Sequence, residues 1–106
     1  MPAAAASTAT VTQVASSATS VTLKAANDLR RQLIVENAST QVLYLKFGSA
    51  ASATSYTVSL PAGGIYELPP IAPVVWSGEV VGGCYAGIVA GTWASTNGYA
   101  YVTEVS

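Results

Sequence analysis

Apolar and polar residues alternate along most of this chain with a period of two. Val21-Thr22-Leu23-Lys24 does so, and so does Tyr56-Thr57-Val58-Ser59-Leu60. Residues 99–105 set Tyr99, Tyr101 and Val105 on one face and smaller or polar residues mainly on the other. Two short runs are apolar throughout, Leu33-Ile34-Val35 and Val42-Leu43-Tyr44-Leu45, and predict strands covered on both faces. β-branched and aromatic residues dominate all of these runs, which suits a pleated surface. No segment carries a capped stripe at helical spacing.

Turn signals separate the runs. Asn27-Asp28 breaks the chain before Arg30, and Asn37-Ala38-Ser39-Thr40 reads as a four-residue hairpin loop between two apolar strands. Residues 48–53 are small and polar, and Pro61-Ala62-Gly63-Gly64 is a turn into Ile65-Tyr66-Glu67-Leu68. Pro69, Pro70 and Pro73 predict an extended crossing segment rather than a central strand. Asn97-Gly98 predicts a tight turn joining Trp93 to Tyr99 in a closing hairpin.

About eight short strands at this spacing predict one all-β domain, a small antiparallel β-sandwich or barrel over residues 16–106. Residues 1–15 are mostly Ala, Ser and Thr and predict an extended N-terminal arm. From Thr10 onward the alternation Val11-Thr12-Gln13-Val14 suits either a strand or an arm that embraces a partner. Edge strands are normally guarded by lysine, proline or inward charge. This chain has few such residues, so its edges are expected to pair with neighbours.

Composition sharpens that picture. Only 8% of the 106 residues are charged, the net charge is −1, and mean hydropathy is +0.44. A soluble domain ordinarily carries about 25% charged residues, so the surface is expected to be buried against other copies or a partner. No basic patch exists to bind nucleic acid electrostatically. Cys84 is the single cysteine and cannot form an internal disulfide; in Gly82-Gly83-Cys84-Tyr85 it reads as a buried, inert thiol. The opening MPAAAASTAT lacks a basic and then a long apolar region, so no signal peptide is expected. Gly83, Gly87 and Gly91 stand at GxxxG spacing, but the apolar run around them is too short for a spanning helix, and no membrane role is expected.

Catalytic chemistry has little to work with. The chain contains no histidine, which excludes a Ser-His-Asp triad, a Cys-His pair and any imidazole metal ligand. No phosphate-binding or dinucleotide glycine motif is present. Glu67 and Glu79 offer a carboxylate pair for glycoside hydrolysis, but any five carboxylates offer pairs, and solvated strand-end charges explain them more simply. We therefore expect a non-enzyme without cofactor or metal. The aromatic residues suit contacts instead. Trp93 reads as core or interface, Trp76 as an exposed contact or a sugar-stacking ring, and Tyr99 and Tyr101 as a contact face. Arg30 and Arg31 hold half the positive charge and suit either a solvated turn or an anchor for an acidic partner. With Val11 and Val14 of the arm, these residues form the candidate interface.

Residues 30–69, RRQLIVENASTQVLYLKFGSAASATSYTVSLPAGGIYELP, resemble a recurring type of small tailed-bacteriophage virion protein. In that type a basic residue leads into an apolar strand ending in Asn, then a Ser/Thr turn and a strand closing on glycine. A Ser/Thr/Ala loop, a Tyr-Thr-Val strand and an Ala-Gly-Gly turn into a Tyr-Glu strand follow. Gly91, Trp93, Gly98, Ala100, Val102, Thr103 and Glu104 resemble that type's C-terminal hairpin, whereas residues 70–90, with Cys84, are expanded relative to it. The resemblance implies a capsid decoration, or cement, protein. Such a protein binds the major capsid protein on the outside of the phage head, self-associates with a trimer favoured, and joins the virion in the reducing host cytoplasm. A tail, neck or head-fibre accessory protein is the alternative, followed by a carbohydrate-binding module.

Overall fold

The computed structural model describes residues 8–68, 74–76, 79–81 and 85–106; for 74–76 and 79–81 it describes the backbone alone. The chain runs through β1 (Ala9–Ala15), β2 (Val21–Lys24), β3 (Gln32–Ser39), β4 (Leu43–Phe47) and β5 (Val58–Leu60). It continues through β6 (Ile65–Leu68), β7 (Val74–Trp76), β8 (Glu79–Val81), β9 (Val89–Trp93) and β10 (Gly98–Val105). No helix occurs among the described residues. Two antiparallel four-stranded sheets, β1-β10-β3-β6 and β2-β9-β4-β5, pack as a sandwich, and β7 and β8 form a separate ribbon.

The pairing is nested. Setting the ribbon aside, the first strand pairs with the last, the second with the last but one, the third with the sixth and the fourth with the fifth. That order is a jelly roll, with the ribbon inserted between its sixth and seventh strands.

Period-two alternation explains which side chains enter the space between the sheets. Leu33, Val35 and Asn37 of β3 and Ala100, Val102 and Glu104 of β10 point inward and are buried. From the other sheet come Leu23, Leu43, Leu45, Leu60, Val89 and Trp93, which meet Leu68 and the β3 and β10 residues in one core. A side chain at Gly91 would meet Leu23 Cδ1 at 2.8 Å and Leu43 Cδ1 at 3.0 Å, so glycine lets the two leucines close over β9.

The all-β sandwich expected from the sequence is present. Four details of its organisation differ. Leu33-Ile34-Val35 and the run ending at Leu45 alternate between buried and half-buried, because only one face of each strand meets the core. Residues 37–40 do not form a hairpin: β3 runs on to Ser39, and β4 lies in the opposite sheet. The closing hairpin is likewise replaced by a crossing, since β9 and β10 belong to different sheets. Gly98 still has the positive φ, +101°, that its turn position suggests. Finally, Ala9–Ala15 is no separate arm but an edge strand paired along its length with β10, so the sandwich begins before residue 16. Residues 1–7, the prolines at 69, 70 and 73, and Cys84 lie outside the described residues.

Two buried polar side chains hold the crossings. Near the end of β3, Asn37 Nδ2 donates to the carbonyls of Gln41 at 2.7 Å, Leu60 at 3.0 Å and Pro61 at 3.1 Å. Its Oδ1 accepts from Ser39 Oγ at 2.7 Å and from Trp93 Nε1 at 3.1 Å. One amide thus ties both sheets and two crossings together, with every polar atom matched. Trp93→Ala removes a large buried ring and leaves Asn37 short of a donor. We expect a loss of about 3–5 kcal/mol, read by denaturant unfolding. Deleting residues 1–15 should lower the melting temperature sharply, because β10 loses a full-length neighbour; an unchanged melt would show β1 to be dispensable.

Candidate interaction surface

The outward positions of β1, β10, β3 and β6 form a flat face whose rows follow from the strand register. One row runs Gln13–Tyr101–Glu36–Ile65, the next Val11–Thr103–Ile34–Glu67, and Tyr99 stands between Ala15 and Ala38. Val11 is 66% exposed, Ile65 62%, Tyr99 44% and Tyr101 38%. Tyr99 and Tyr101 follow one another along β10 with Val11 diagonal to Tyr101, and Glu36 separates Tyr101 from Ile65; exposed apolar side chains grouped in this way mark a binding surface. Gln13 Nε2 donates to Tyr101 Oη at 3.2 Å, and Gln32 Nε2 donates to Glu67 Oε1, so polar side chains brace the patch from within. Its charges, Glu36 and Glu67, are both acidic.

Of the residues expected at an interface, Val11, Tyr99 and Tyr101 share this face. Val14 lies on the opposite side of β1, half-buried against the core. Arg31 is exposed, and its backbone N–H donates to Val105 O at 2.7 Å. The side chain of Trp76 lies outside the described residues, although the backbone of Trp76 pairs with Glu79 in the ribbon. Arg30 is a correction, since it is neither solvated nor open to a partner but enclosed by the chain itself; Trp93, read as core or interface, is core and offers no side chain to a partner. Ile65 was missed, although the alternation Ile65-Tyr66-Glu67-Leu68 already puts it outward with Glu67.

Arg30 makes a second pin, near the start of β3. Its Nε donates to Glu104 Oε2 at 2.8 Å, its Nη2 to Ala25 O at 2.7 Å, and its Nη1 to the carbonyls of Gly87 at 2.9 Å and Tyr85 at 3.1 Å. Asn27 Nδ2 donates to the other carboxylate oxygen of Glu104 at 3.1 Å. Burial by itself would raise the pKa of Glu104. The hydrogen bonds from Arg30 and Asn27 and the attraction of Arg30 and Lys24 outweigh it and hold the carboxyl below its ordinary value. The forked guanidinium matches several carbonyls at once, which an ammonium would not do.

A shallow concavity of about 550 Å³ lies on the other sheet, where Ser20, Tyr44, Ser52 and Thr92 are among its lining residues. Among its described lining residues Tyr44 is the one titratable side chain, with no Asp, Glu, Lys, Arg or Cys beside it to serve as its proton-transfer partner. Among the described residues no three Cys, Asp or Glu side chains gather as metal ligands, and no helix is long and apolar enough to cross a membrane. Comparisons with protein-family models, with curated proteins and with solved structures each found no match.

The Arg30–Glu104 pair gives a pH prediction. A carboxyl whose folded pKa is lowered adds stability above its unfolded pKa, and that contribution is lost as pH falls through the folded value. The wild-type melting temperature should therefore drop as pH falls below about 4.5, the ordinary value for Glu104. Glu104→Gln should flatten that fall and cost about 3–5 kcal/mol at neutral pH by leaving Arg30 buried without its counter-charge. Thermal melts across the acid range check both.

Proposed function

We propose that this chain is a non-enzymatic structural component of a phage virion, a decoration protein that binds coat subunits on the outside of the head. The observation that carries the reading is the outer face of the β1-β10-β3-β6 sheet. There Val11, Ile65, Tyr99 and Tyr101 stand exposed in adjacent rows, in a chain with only 8% charged residues. Such a face suits lasting contact with another protein surface. The jelly roll supports the reading by analogy alone, since this fold also builds viral capsid and lectin domains. The sugar-binding alternative rests on Trp76, whose side chain lies outside the described residues, and on tyrosines, of which Tyr99 and Tyr101 stand on this same face. A tail, neck or fibre role uses the same face and differs in copy number.

Quantitative mass spectrometry of purified particles of the encoding phage separates these readings. A ratio to the major coat protein near that of a lattice component supports decoration; a few to a few dozen copies moves the chain to the tail, neck or fibres. Tyr101→Lys puts a charge in the centre of the face without touching the core, and opposite Glu36 it opposes no like charge. It should leave the melting temperature within a few degrees of wild type and reduce particle occupancy by about tenfold or more, equivalent to about 1.4 kcal/mol of binding. Full occupancy by a folded variant would remove this face from the contact.

A further inference from the structure

The four edges of the sandwich are unequal. β6 and β2 have four residues each and β5 three, whereas β1 has seven, without a charge or a proline. Short strands protect an edge by offering little to pair with. β1 lacks that protection.

Hydrogen-bond parity shows which groups of β1 have no ladder partner among the described residues. Thr8 and Ser106 exchange backbone bonds, Thr8 N to Ser106 O at 3.0 Å and Ser106 N to Thr8 O at 2.8 Å, and at the other end Ser16 N donates to Gly98 O at 3.0 Å. In an antiparallel ladder such pairs alternate with pairs whose N–H and C=O point away. The register is unbroken from Ala9–Val105 to Ala15–Tyr99. Thr10, Thr12 and Val14 are therefore bonded to β10, while Ala9, Val11, Gln13 and Ala15 present their N–H and C=O outward. Beyond them the edge closes, because Ser17 O accepts from Trp93 N at 2.8 Å.

The geometry points to a two-fold dimer in which β1 pairs antiparallel with β1 of a second copy, centred on Thr12. In that register Ala9 faces Ala15 and Val11 faces Gln13 of the second copy, so every outward-pointing residue meets another. All the free donors and acceptors are satisfied at once. Thr12 meets Thr12 at the axis, a favourable cross-strand pair, and no like charges are opposed along the strand. Lys24 Nζ donates to Thr12 Oγ1 at 3.4 Å from the inner side of the sheet, out of the plane in which the edge bonds form. The two β1-β10-β3-β6 sheets become one sheet of eight strands, and the patches around Tyr101 and Val11 join across the axis. A three-fold assembly would have to set β1 against a different and shorter edge, whereas a two-fold uses the same strand twice. The second copy is the occupant because β1 is its own complement in length, parity and charge. This dimer stands on the edge alone and does not depend on the virion reading.

Sedimentation of the full chain over a range of concentrations tests it. Wild type should show a monomer–dimer equilibrium. Val11→Pro removes an N–H that points away from β10 and so spares the intrachain ladder; it should yield folded monomer. The double variant Val11→Lys with Gln13→Lys opposes like charges across the axis and should weaken the dimer by about tenfold or more. Val11→Glu with Gln13→Lys sets opposite charges face to face in the same register and should restore it. A wild-type chain that stays monomeric at its solubility limit overturns the proposal. So does a trimer, or a double-lysine variant that is folded by circular dichroism and dimerises like wild type. Because these experiments use the isolated chain, their failure is distinct from a failure of particle binding.

Discussion

Most connections in this sandwich carry the chain from one sheet to the other, and each crossing leaves backbone carbonyls without a ladder partner. A buried carbonyl without a donor costs about as much as a lost hydrogen bond. Two side chains meet that demand. Asn37 binds three crossing carbonyls and Trp93, and Arg30 binds three more while pairing with Glu104. They stand towards opposite ends of β3, four strand positions apart on β10, where Asn37 faces Ala100 and Leu33 faces Glu104. Among the described residues no buried side-chain polar atom is left without a partner. A chain with a single cysteine thus fixes its crossings by side-chain hydrogen bonds instead of disulfides.

This solution places both polar pins inside and leaves the outside poor in charge. Arg30 and Glu104 belong to the small charged set, yet both are turned inward. The outer face of the β1-β10-β3-β6 sheet is left with Tyr99, Tyr101, Val11 and Ile65 and two carboxylates, beside an edge strand whose outward amides have no ladder partner among the described residues. Face and edge are adjacent and nearly continuous. The proposed contacts, with a coat surface through the face and with a second copy through the edge, would use both.

Much of the strand content was legible because alternation is local: a residue faces the core or the solvent according to its parity, and neighbours in sequence reveal it. The face carrying Tyr99 and Tyr101 followed directly, and Ile65 was within reach of the same reasoning. Arg30 and Asn37 were not legible. A charged residue after a turn and an asparagine at the end of an apolar run are ordinarily surface and turn residues. Here each is buried because carbonyls distant in sequence, from residues 60, 61, 85 and 87, converge on it. Nothing near them in sequence announces that convergence.

The sequence by itself determined strands, their facing and a surface short of charge, since period, β-branching and composition act residue by residue. Only the tertiary structure decided which strands became neighbours. Asn37-Ala38-Ser39-Thr40 and Asn97-Gly98 have the chemistry of hairpin turns, yet both lead into crossings. Pairing β1 with β10 and β3 with β6 requires long loops to close. That entropy is recovered only when Leu33, Val35, Ala100 and Val102 from one sheet meet Leu43, Leu45, Val89 and Trp93 from the other. Turn residues permit a bend; the shared core selects the strand to which it leads.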